Sequence, residues 1–123
     1  MLVVDRTVTW GAGEYGAHAE VAVAAPATTW YLAEGSTSGD FALFYLLQNP
    51  GPTSVEATVR YLLPFGQAPI DIGYTLPPTS RTTIAVDAIS STLANTDVSA
   101  IVTAAQPIIV ERAMYLNLSL IHI

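Results

Sequence analysis

Phe41–Pro64, FALFYLLQNPGPTSVEATVRYLLP, is the stretch that decides the fold. Two apolar segments flank Asn49-Pro50-Gly51-Pro52-Thr53-Ser54, where nearly every residue is a turn former. In the second segment Val55, Ala57, Val59, Tyr61 and Leu63 fall on one face, and Glu56, Thr58 and Arg60 on the other. That period of two is the mark of a half-buried strand. The first segment is apolar on both faces, with Phe41, Leu43, Tyr45 and Leu47 against Ala42, Phe44 and Leu46. A strand covered on both sides has this composition. The pattern predicts a β-hairpin at the centre of a sheet.

Outward from this stretch the same chemistry repeats. Upstream, Leu2–Trp10 (LVVDRTVTW), Ala17–Ala25 (AHAEVAVAA) and Thr28–Glu34 (TTWYLAE) read as strands, separated by the glycine-rich Gly11–Gly16 and by Pro26. Downstream, Ile70, Ile72, Tyr74 and Leu76 alternate with polar or small residues, as do Thr82, Ile84 and Val86. Ala88–Asp97 is the one stretch without strand character, and a short helical turn is expected there. Val98–Ala104 and Ile108–Leu116 are the last two strands, parted by Gln106-Pro107. Eight or nine short strands at this spacing predict an all-β, antiparallel β-sandwich of immunoglobulin type.

The 123 residues suit one domain with a real core. Net charge is −6, carried against four arginines and no lysine. A chain so poor in cations has no footprint for nucleic acid and no polybasic patch for anionic lipid. No apolar run reaches the ~20 residues needed to span a bilayer. With no cysteine, disulfides, thiolate metal sites and cysteine nucleophiles are excluded.

The chain contains an internal repeat. Leu2–Trp10 (LVVDRTVTW) aligns without gaps to Ile108–Leu116 (IIVERAMYL): aliphatic, aliphatic, Val, acid, Arg, then a β-rich tail. Residues 1–16 then read as the last strand and linker of a preceding copy, and 17–117 as one complete module.

Five blocks carry a resemblance: TTWYLAEGST (Thr28–Thr37), YLLQNPGPT (Tyr45–Thr53), SRTTIAVD (Ser80–Asp87), LANTDVS (Leu93–Ser99) and QPIIVERAMY (Gln106–Tyr115). Together they resemble the uncharacterised tandem-repeat β-sandwich modules of large secreted or cell-surface bacterial proteins. The resemblance implies an extracellular, repetitive and non-enzymatic protein, and the family brings no active site to transfer. The tail departs from it. Leu118–Ile123, LSLIHI, is what CTG TCT CTT ATA CAC ATC encodes, a string like a transposase adapter from sequencing libraries. Residues 118–123 are therefore expected to be non-native, and Met1 to be an internal codon.

Arg112 shares a strand face with Ile108, Val110 and Met114, and its repeat counterpart Arg6 lies with Leu2, Val4, Val8 and Trp10. An arginine on an apolar face needs a carboxylate, because an unpaired buried charge is costly. Glu34, in phase with Trp30 and Leu32, is the expected partner in a structural Glu34–Arg112 ion pair. His18 and His122 are the only histidines, and GxSxG is absent, so neither a zinc site nor a serine triad is expected. Glu34, Asp40, Asp71, Asp87 and Asp97 lie near strand ends without the spacing of a calcium loop. No catalytic residue, metal or cofactor is expected.

Trp10, Tyr15, Tyr31 and Phe65 are candidates for a sugar-stacking platform, while Trp30 and Tyr61 read as core. The leading functional expectation is a structural or adhesive repeat that self-associates through the strand carrying Leu2, Val4, Val8 and Trp10. Its partners would be neighbouring modules or copies of itself. A carbohydrate-binding module taking polysaccharide is the alternative, and a hydrolase is a remote third.

Overall fold

In the computed structural model, residues 25–116 are described in full, and the strands β1 (Asp5–Trp10) and β2 (Gly16–Val21) by their backbone course. Six further strands follow: β3 (Ala27–Leu32), β4 (Phe41–Asn49), β5 (Val55–Leu62), β6 (Ile70–Leu76), β7 (Ser80–Ala85) and β8 (Ser99–Leu116). One 3-10 turn, Val86–Ala88, lies in the sequence between β7 and β8. All pairings are antiparallel. The all-β antiparallel expectation holds, but the grouping differs from two separate sheets of eight or nine short strands. Six strands form one sheet in the order β6-β5-β8-β4-β7, with β3 also on β8, and this sheet curls into a half-barrel. β1 and β2 form a second sheet of their own.

The curl comes from β8. The sequence predicted two strands here, and the structure makes them one. Its first half pairs with β5 on one side and β3 on the other, and its second half pairs with β4. Thr29 faces Thr103 but Ala27 faces Ile108, so β8 carries extra residues around Ala104–Pro107. An insertion of this kind bends a strand and increases its twist, and Pro107 has no N–H for the ladder. The indole Nε1 of Trp30 donates to the carbonyls of Ala27 (3.1 Å) and Ile108 (3.0 Å), pinning the bend.

The predicted central hairpin is not formed. β4 pairs with β7 and β8, and β5 with β6 and β8, so β8 lies between the two expected partners. The turn Asn49–Ser54, with two prolines, carries the chain across rather than back on itself. Alternation cannot distinguish these cases, because both segments turn the same residues inward either way.

The face assignments hold. Leu43, Tyr45, Leu47, Val59, Tyr61, Val102 and Ile108 have no exposed surface, and Val55, Ala57, Ile84, Ala100 and Val110 are buried with them. Each buried Leu, Ile or Val side chain contributes roughly 1.5–3 kcal/mol on leaving water. Trp30, Leu32, Ile70, Ile72, Tyr74 and Met114 pack around this cluster. Tyr45 and Tyr61 stack across it with ring centroids 6.0 Å apart and planes 11° from parallel.

Candidate functional site

The blocks that carried the family resemblance are structural fasteners. Ser36 bridges Asp97, and Thr37 donates its N–H to the Thr96 carbonyl at 2.8 Å. The buried Thr37 hydroxyl lies 2.8 Å from the Leu93 carbonyl and accepts the Thr96 N–H at 3.0 Å. EGST is therefore laced to LANTDV. Asn49 joins the β4–β5 turn to the end of β6: its Nδ2 reaches the carbonyls of Thr53, Leu76 and Pro77, and its Oδ1 accepts the Gly51 N–H. Asp87 accepts the Leu43 N–H at 3.0 Å, a structural role for one of the candidate calcium ligands.

Gly35 sits where a side chain has no room. A Cβ there would stand 3.0 Å from Leu43 Cδ2 and 3.1 Å from the Val98 carbonyl oxygen, and that oxygen is backbone. Gly35→Ala is expected to cost about 1–3 kcal/mol through this overpacking, read as a lower urea midpoint. An unchanged midpoint would show that the segment yields freely.

Glu34 and Arg112 do meet, but not as an ion pair. The Arg112 guanidinium donates to the main-chain carbonyl of Glu34, and the Glu34 side chain is exposed. The reason is local: β3 ends at Leu32, so alternation no longer holds Glu34 on the core face. Arg112 itself is half-buried opposite Tyr45. Arg60 and Asp71, on the outer face, form a side-chain ion pair that the sequence alone does not reveal. Cross-strand register was the missing signal.

The exposed aromatics separate. Tyr31 is 74% exposed near the end of β3, and Phe65 is 97% exposed at the tip of the β5–β6 turn, held at φ 59°. No ring contact joins them. Trp10 and Val8 lie in β1, whose side chains are outside the description, as are Arg6, His18 and all of Leu2, Val4, Tyr15, His122 and residues 118–123.

Two hollows remain. A cleft of about 540 Å³ opens at one end of the half-barrel, walled by Phe41, Leu62, Leu63 and Met114 with Glu34 and Asp97 at its edge. A shallower depression of about 240 Å³ lies on the outer face, lined by Thr58, Arg60, Asp71, Ile101 and Thr103. Among the described residues no group of three or more His, Cys, Asp or Glu could hold a metal ion. None of their helices is long and apolar enough to cross a membrane.

No family model matches the sequence, and no curated protein matches it. Fourteen solved chains do match by fold. The Anabaena sensory rhodopsin transducer aligns at a TM-score of 0.63 with 16% identity, covering 75% of this chain and all of that one. Thermotoga maritima 1070 aligns at 0.62 with 10% identity, covering 73% and 93%. At such identities the likeness is one of fold.

Proposed function

We propose that this chain is a non-catalytic repeat module that assembles with copies of itself, or with adjoining modules, by exchanging strands. The observation that carries the reading is the isolation of β1. Its sequence is the counterpart of the C-terminal half of β8, which belongs to the large sheet through its ladder with β4. β1 instead pairs with β2, Asp5 opposite Val21 through Trp10 opposite Gly16, in a sheet of two strands. A two-stranded ribbon alone is marginal in water, and an unpaired strand edge is a template for another chain.

The complete sandwich of immunoglobulin type expected from the sequence would arise when strands from a neighbouring copy join this half-barrel. One structural neighbour is by name a sensory transducer, and a binding rather than catalytic role is in keeping with that. A cell-surface location belongs to the same proposal and rests on the family resemblance. Reciprocal exchange would close as a two-fold dimer, and head-to-tail exchange would run on as a filament.

Light scattering on the full chain and on a chain lacking residues 1–10 tests the proposal at tens of micromolar. The full chain is expected to associate and the shortened one to be monomeric. A monomer in both cases would refute it, as would equal association in both.

A further inference from the structure

The outer face of the half-sheet β6-β5-β8-β3 carries a constellation that neither folding nor strand exchange uses. Register aligns Asp71, Arg60, Ile101 and Tyr31 in one row across the four strands. The next row is Gly73, Thr58, Thr103 and Thr29. All but the half-buried Ile101 are exposed.

Arg60 and Asp71 form a two-pronged fork, Nε to Oδ1 at 2.8 Å and Nη2 to Oδ2 at 2.9 Å. The pairing raises the arginine's pKa and lowers the carboxylate's. An exposed pair of this kind adds little to stability, and a tyrosine left 74% exposed buries little of its ring. Fold energetics therefore account for neither. The fork instead fixes the remaining guanidinium N–H groups and carboxylate lone pairs in one plane at the edge of the outer depression.

Gly73, opposite Thr58 in register, leaves open space on the same face, since a Cβ there would meet nothing nearer than the Ala57 carbonyl at 4.0 Å. Thr58 and Thr103 add hydroxyls beside the fork and Ile101 adds an apolar floor. Tyr31 lies two strands from Arg60, roughly 10 Å at the usual strand spacing.

These features select a ligand. The two charges cancel within the fork, so the face attracts neither a phosphate chain nor a cation. Paired donors and acceptors in fixed geometry suit vicinal hydroxyls. An exposed aromatic ring suits the apolar C–H face of a pyranose, and the separation suits a short flat oligomer rather than one ring. We propose that this face binds a neutral, β-linked oligosaccharide, with Tyr31 stacking one sugar ring and the Arg60–Asp71 fork holding the hydroxyls of another. The proposal does not rest on strand exchange.

The test is an amide chemical-shift titration of the full chain with cellohexaose, xylohexaose and laminarihexaose, each taken into the millimolar range. At least one sugar is expected to shift the amides of Tyr31, Arg60, Asp71 and Thr103. Tyr31→Ala and Asp71→Asn, both at exposed positions, should each weaken that binding about tenfold or more, equivalent to about 1.4 kcal/mol, with melting temperature unchanged. Three sugars without effect would overturn the proposal. So would binding that persists undiminished in both variants, or shifts confined to β4 and β7.

Discussion

Asn49→Ala is expected to lower the stability of the fold by about 3–5 kcal/mol, because it strips partners from several buried groups at once. Asn49 is 1% exposed, and its Nδ2 lies 2.8 Å from the Thr53 carbonyl, 3.1 Å from that of Leu76 and 3.0 Å from that of Pro77. An amide has two N–H bonds, so two of these carbonyls are satisfied at any instant. Its Oδ1 takes the Gly51 N–H at 3.0 Å. Alanine leaves these groups facing a void, each at about 1–3 kcal/mol when fully dry. Domains are stable by only about 5–15 kcal/mol, so the variant should unfold at much lower urea. Asn49→Asp is nearly isosteric but replaces the donor by a negative oxygen facing three carbonyls, and should be at least as damaging. A loss below about 1 kcal/mol for alanine would mean that water takes the place of the amide.

The second large effect is alkaline. The Tyr45 hydroxyl is buried and has no hydrogen-bond partner among the described residues. Burial pushes its pKa up to about 12, against the opposing pull of the Arg112 guanidinium. Tyr61 is raised too, first by burial and then by its 2.9 Å hydrogen bond with the Tyr74 hydroxyl. An unfolded tyrosine titrates near 10, so the folded state holds these protons more tightly. The resulting stability is present in full below pH 10 and disappears as pH rises towards 12 and beyond. Two units for Tyr45 amount to roughly 2–3 kcal/mol. Melting temperature should therefore fall steeply above pH 10, together with the appearance of phenolate absorbance. Tyr45→Phe removes an unpaired buried hydroxyl, and should match or exceed the parent at neutral pH and decline less in base. If every tyrosine titrated near 10 without unfolding, the packing of these two rings would have to be different.

The inward residues of β4–β7 were legible in the sequence because alternation is a local signal. Val55, Ala57, Val59 and Tyr61 could be assigned to the core from their spacing alone. Pairing was not legible. Nothing local tells Val59 that its neighbours are Ile72 and Val102, or that Leu47 lies beside Thr82 and Val110. The Asn49–Ser54 turn shows the cost of that gap: its residues announce a reversal, and only register says which strand comes next. Arg112 was correctly placed on an apolar face, but its acceptor is a carbonyl, and any residue at position 34 would supply one. The Arg60–Asp71 fork escaped notice because eleven residues and a turn separate two charges that register brings face to face.

β8 has a consequence for how the molecule is made. It emerges from the ribosome after every other strand of the half-barrel, yet β3, β4 and β5 all depend on it. Before Ser99–Leu116 appears, the nascent chain can form the β5–β6 and β4–β7 ladders, but no ladder joins one to the other and the strand that closes the sheet between them is missing. The core has no partial version that could hold while translation continues. Folding then waits for the last strand and proceeds through distant contacts, the slow class of topology. A ribosome that stalls before Ser99 releases two sticky ribbons, not a smaller copy of the fold.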